Sequence, residues 1–122
     1  MDVLLVEDDA LVRESLNEDL SDAGLSVVGA CCAEDGLRAA EADPAPPSVV
    51  VTDVELGPGM DGLTLAEEAR RRWPDIAVVV MTGNRGKLRG RSARAHERCL
   101  LKPLSPSLLI AEVNGLLGRP GR

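Results

Sequence analysis

The sequence predicts an α/β protein, a parallel sheet covered by helices on both faces. Short runs of apolar β-formers alternate with helix-spaced segments throughout the 122 residues, the pattern that builds βαβ units with right-handed crossovers. Several of those runs also end in a residue able to hold an ion or a phosphate: Glu7-Asp8-Asp9, Asp53, Thr82 and Lys102. Open α/β sheets bind ligands in the crevice beyond their strand ends.

Val3 to Val6 reads as a buried first strand. Asp9 to Ala23 reads as a helix, with Leu11, Val12, Leu16, Leu20 and Ala23 near helical spacing and Gly24 as its stop; Asp9 suits the N-cap. Ser26 to Ala30 is a second strand and Ala33 to Ala42 a short helix, with Leu37 and Ala40 inward, ended by Pro44, Pro46 and Pro47. Val49 to Thr52 is the third strand, delivering Asp53. A helix from Leu63 to Arg72 stops at Pro74, with Asp61-Gly62 as its turn and cap and Trp73 packing at its end. Ile76 to Met81 is the fourth strand.

Gly83 to Glu97 reads as a short frayed helix or a loop, because it holds Gly83, Gly86 and Gly90 and each glycine inside a helix costs about 1 kcal/mol against Ala. Cys99 to Leu101 is a short fifth strand. The last helix starts at the Ser105 cap with Pro106 at its first position and runs to Gly118. It carries more leucine than one face needs, which leaves room for a partner or dimer surface. The expected domain is 1–118, with a disordered tail at 119–122.

Composition narrows the function. The length suits one domain with a single core, and with one Trp and no Tyr or Phe that core is aliphatic. The net charge is −6, but basics dominate from Arg70 onward, readable as solvated helix faces or as a docking surface for an acidic partner. Nucleic-acid binding is disfavoured: no aromatics stack bases and the balance is acidic. Cys31, Cys32 and Cys99 form no CxxC pair, and their odd number argues against a disulfide framework; they read as small buried hydrophobes in a reducing cytosol. His96 reads as a surface residue. No apolar run reaches the roughly 18 residues of a membrane span, and no signal peptide is visible, so the expected location is cytoplasmic.

The strand-end residues suit phosphoryl chemistry. A carboxylate attacks an anionic phosphoryl group poorly unless charge is neutralised. Mg²⁺ binds through one or two carboxylates plus phosphate oxygens and waters. Clustered carboxylates repel one another and a metal relieves this. An ammonium is a compact partner for phosphate.

In order, Val6-Glu7-Asp8-Asp9, Thr52-Asp53, Met60-Asp61-Gly62, Thr82-Gly83 and Lys102-Pro103 resemble the motifs of a response-regulator receiver domain, from Val3 to about Leu117. The resemblance implies a flavodoxin-like (βα)5 sheet of strand order 2-1-3-4-5. It implies Asp53 as phosphoacceptor and Asp8 as a direct ligand of Mg²⁺ (or Mn²⁺), with Glu7 supporting the metal and the Glu55 carbonyl as a further ligand. Thr82 would bond the phosphoryl group, Lys102 would pair with it, and the Lys102–Pro103 bond would be cis. A histidine kinase or phosphotransfer protein would donate the group, docking near Arg13 and Asn17, and an unidentified protein would read the switch.

The chain departs from the family pattern in three places. The loop after Asp53 is one residue longer than the common form and resembles receivers working with hybrid sensor kinases. Cys99 stands where many members carry a switching Tyr or Phe, so ordering of Gly83–Glu97 becomes the expected readout alongside Thr82. That segment is also basic and glycine-rich. Glu55 would tune phosphoryl lifetime. Two other readings stay open: a Mg²⁺-dependent phosphohydrolase using Asp53, and a phosphorylation-independent module on the same fold. No output domain is visible, which fits a stand-alone regulator, a phosphoryl sink or part of a longer protein.

Overall fold

The computed structural model describes residues 1–88 and 96–118. Five parallel strands, β1 (Val3–Val6), β2 (Val27–Ala30), β3 (Val49–Asp53), β4 (Ala77–Thr82) and β5 (Glu97–Leu101), lie in the order β2-β1-β3-β4-β5. Four α-helices are described: α1 (Ala10–Asp22), α2 (Ala33–Ala42), α3 (Gly62–Arg72) and α4 (Pro106–Leu117). The expected sheet order is the observed one.

Side chains alternate across each strand, so the buried sheet splits its residues between two aliphatic layers. Leu4, Val6, Val50, Val78 and Val80 face Leu37 and Ala40 of α2 and Leu65, Ala66 and Ala69 of α3. Val3, Leu5, Val49, Val51, Val79 and Met81 face Leu20 of α1 and Leu109 and Val113 of α4. Helix starts follow their caps: Asp9 accepts from the backbone of Leu11 and Val12, Asp61 from Thr64, and Ser105 from Leu108. Trp73 closes α3 and packs on the first layer.

Several expectations are corrected. Leu11 is 79% exposed and Val12 is also exposed; α1 lies on the sheet through Leu20, and its N-terminal turn overhangs the strand ends. Cys31 and Cys99 are exposed and Cys32 half-buried. The β1–β2 ladder ends at Val6↔Ala30, so Cys31 and Cys32 fall in the bend after the strand rather than within it, and Cys99 faces outward on β5, the edge strand. Between β4 and β5, where a short frayed helix or a loop is expected, the described residues form a 3₁₀ turn, Arg85–Leu88. The rest of that expected segment, 89–95, and the expected tail, 119–122, lie outside the described residues.

Part of the basic run is paired within the chain. Arg70 joins buried Glu97, Arg71 joins Glu68, and Arg72 joins Glu41 and Glu68. Arg72 thereby ties α3 to α2 and Arg70 ties it to β5, while Arg71 pairs within α3, which favours the helix-face reading for all three. His96 is exposed, as expected.

Candidate functional site

Register alone assembles the site. Val6 pairs with Thr52, so the next residue of each strand, Glu7 and Asp53, stand level. Asp53 pairs with Met81, and Thr82 with Leu101, which brings Thr82 and Lys102 to the same edge. The Lys102 backbone N–H donates to the Thr82 carbonyl at 2.8 Å, and the Lys102–Pro103 peptide is cis.

Oxygens of Glu7, Asp8 and Asp53 lie within 4.8 Å of one another. Glu7 and Asp53 are buried while Asp8 is exposed. Lys102 Nζ sits 2.9 Å from Asp53 Oδ1 and 3.8 Å from Glu7 Oε1. Glu7 Oε2 is buried without a hydrogen-bond partner. An unpartnered buried carboxylate oxygen in an all-oxygen cluster is what a hard divalent cation would satisfy, so the residues fit Mg²⁺.

Charge crowding shows in the titration of Glu7. Burial first, then the Asp53 carboxylate, push its pKa from 4.5 to about 7, against the pull of Lys102. Burial would depress the Lys102 ammonium, but hydrogen bonding and attraction to Asp53, with Glu7 and Glu55 behind it, hold its pKa above the usual value.

The Glu7 shift has a direct consequence for stability. The folded chain holds the Glu7 proton more tightly than the unfolded chain does. Metal-free stability should therefore fall as pH rises from about 4.5 to about 7, by at most about 3 kcal/mol. Mg²⁺ should flatten this slope. Denaturation midpoints taken across that range in chelator check it, and a rise over the same window would refute it.

Thr82 is held by the loop that follows Asp53. Its hydroxyl donates to the Glu55 carboxylate at 2.9 and 3.2 Å, and its oxygen accepts the Asn84 N–H at 3.0 Å. Cys99, on β5, lies apart from this cluster, its thiol directed to Glu97 at 3.7 Å.

The long loop after Asp53 is held in two ways. Gly57 and Gly59 adopt φ of +77° and +94°, which glycine tolerates. The Met60 N–H donates to Glu34 Oε2 at 3.0 Å, which with other contacts lowers the Glu34 pKa. No local pattern in the sequence marks Glu34, because its partner lies 26 positions away. Arg13, expected at a docking face, also donates to the Glu7 carbonyl at 2.8 Å. Beside it, a cavity of about 450 Å³ opens between Val12 and Leu16 of α1 and Met81, Lys102, Pro103 and Leu104.

A family profile, the response regulator receiver domain, matches residues 3–114. The chain belongs to that family. Among curated relatives of this receiver domain, the transcriptional regulatory protein FixJ of Azorhizobium caulinodans is 36% identical over 96% of this chain and 55% of its own length. Response regulator MprA of Mycobacterium leprae is 35% identical over 98% of this chain and 52% of its own. The chain thus spans about half the length of these relatives. Among solved structures, a response regulator receiver protein from Sinorhizobium medicae superposes with TM-score 0.85 at 25% identity, covering 95% of this chain and 93% of that one. The receiver domain of hybrid histidine kinase CckA superposes with TM-score 0.79 at 28% identity, covering 94% and 97%. No described helix of this receiver domain is long and apolar enough to cross a membrane.

Proposed function

We propose that this receiver domain takes a phosphoryl group on Asp53 from a phosphohistidine of a histidine kinase or phosphotransfer protein, and passes the change to a second protein. The observation that carries this reading is the carboxylate cluster of Glu7, Asp8 and Asp53 with Lys102 Nζ 2.9 Å from Asp53 Oδ1.

An Asp53 oxygen would attack phosphorus as the bond to the donor imidazole breaks, giving an aspartyl phosphate and freeing the histidine. Lys102, already on Asp53, would offset the phosphoryl charge throughout. Asp8 and Asp53, with Glu7 behind them and the Glu55 carbonyl nearby, would hold Mg²⁺ (or Mn²⁺). The bound ion would supply charge neutralisation for the transferring oxygens.

Release of the Thr82 hydroxyl from Glu55 would let it donate to the new phosphoryl oxygens. Glu55 thus competes with the phosphoryl group for one donor, and its charge opposes the arriving anion. With Cys99 exposed on β5 and no ring there to rotate, ordering of the segment after Thr82 would carry the signal. Exposed Leu11 and Val12 beside the α1 cavity give the donor protein an apolar landing. Hydrolysis of the acyl phosphate would return the domain to its starting state, so it acts on itself and not on an outside substrate. The cytoplasmic setting and the downstream partner follow from the same reading.

Intact mass after incubation with acetyl phosphate tests the proposal. A phosphoryl-sized gain is expected with Mg²⁺ and none in excess chelator. If acetyl phosphate and a phosphorylated histidine donor both leave the mass unchanged, the phosphorylation-independent reading replaces this one.

A further inference from the structure

We infer that Cys31, Cys32 and Asp35 form a second cation site, selective for a thiophilic divalent ion, with Zn²⁺ the species whose preferences they meet. The inference is independent of phosphorylation.

The chain folds these residues together for a local reason. Cys32 takes the extended conformation of an N-cap at φ −149° and ψ 163°, and the first turn of α2 carries Asp35 back over both cysteines. The three ligand atoms lie within 4.8 Å of one another, and Cys31 Sγ is already 3.6 Å from Asp35 Oδ2. Around a tetrahedral ion with bonds of about 2.0–2.3 Å, ligand atoms stand roughly 3.3–3.8 Å apart. Closure therefore needs the ligand atoms to draw together by about 1.5 Å or less.

The surroundings prepare each ligand. Arg38 holds Asp35 Oδ1 in an ion pair, leaving Oδ2 turned to Cys31, the outer-sphere arrangement that orients a ligating carboxylate. Cys32 Sγ accepts the Asp35 N–H at 3.4 Å, which fixes the sulfur at the start of α2. Two sulfurs and one carboxylate leave the fourth tetrahedral position for water. Exposure of Cys31 gives the ion its entry.

The donor set separates this site from the all-oxygen cluster at Asp53: soft sulfur ligands select Zn²⁺ or Cd²⁺ where carboxylates alone select Mg²⁺. The site also has a path to the acceptor loop. Glu34, between the ligands, is the residue that holds the Met60 N–H, so an ion fixing this turn of α2 would fix the loop's anchor.

The test is a Cd²⁺ titration of the whole chain in saturating Mg²⁺ with a non-thiol reductant. It is followed by thiolate-to-metal charge-transfer absorption, which an oxygen-only site cannot produce; Zn²⁺ is then read by competition. Saturation is expected at one equivalent. Cys31→Ser and Asp35→Asn should each weaken binding by at least the roughly 10- to 100-fold that losing an outer-shell partner costs, and Cys99→Ser should leave it unchanged. Circular dichroism confirms that the variants are folded. If Cys32→Ser loosens α2, Cys31→Ser decides, because its sulfur is outside the core. A Cd²⁺ affinity left unchanged by Cys31→Ser overturns the assignment. So does saturation at half an equivalent with a dimer in sedimentation, which would mean an ion bridging two chains.

Discussion

Asp53→Asn is expected to accept no measurable phosphoryl group, under about 1% of wild type in the intact-mass assay with acetyl phosphate and Mg²⁺, because a neutral amide oxygen is not a nucleophile of this kind. The substitution keeps size and shape in a buried position, so the fold should persist. It has a second readout that a damaged fold would not give. Burial is the largest cause of the raised Glu7 pKa and the Asp53 charge the next. Removing that charge should shrink the fall of metal-free stability with rising pH without abolishing it. Phosphoryl gain retained in Asp53→Asn would move the acceptor elsewhere. A lost gain with an unchanged pH slope would mean that Asp53 and Glu7 do not share the electrostatics described above.

Gly62→Ala should be the most destabilising single-methyl addition among the described glycines. A Cβ at Gly62 would lie 1.9 Å from the Asp53 carbonyl oxygen and 2.9 Å from Val54 Cα. Both are backbone atoms that cannot swing aside, and the Gly62 N–H is bonded to the Val54 carbonyl at 2.8 Å. Relief requires moving α3 away from the acceptor strand. We expect a loss of about 3 kcal/mol or more, a fall in Tm on the order of 10 °C for a domain of this size, and slowed phosphoryl uptake through displacement of Asp53. Gly115→Ala is the matched control. It lies inside α4 with nothing within 4 Å of the added Cβ and should stabilise by about 0.5–1 kcal/mol. Paired thermal melts decide. Equal effects at the two positions would show that the close approach at Gly62 does not constrain the fold.

Much of this protein is legible in its sequence because the signals are local. An apolar run of four to six residues, rich in β-branched side chains, between turn formers marks a strand from local sequence. A cap such as Asp9, Asp61 or Ser105 acts on backbone groups two or three residues away. Alternation of strands and helices, with the side-chain period of two, then leads to a two-layered parallel sheet. Asp53, Thr82 and Lys102 could be singled out because each ends, or directly follows, such a strand.

The rest depends on distances that no local pattern encodes. Leu11 has the spacing of a core residue, yet it is exposed because α1 begins beyond the edge of the sheet it covers. Cys31 and Cys32 continue an apolar run, but the β1–β2 ladder stops at Ala30. Which acceptor Thr82 serves, which carbonyl Arg13 caps and which loop Glu34 anchors were set by tertiary approach alone. The sequence by itself determined the elements, their order and the residues at the strand ends. Tertiary structure decided how those charges meet, because the raised pKa of Glu7 and the Lys102–Asp53 pair exist only where register brings separate strands level and burial strips their water.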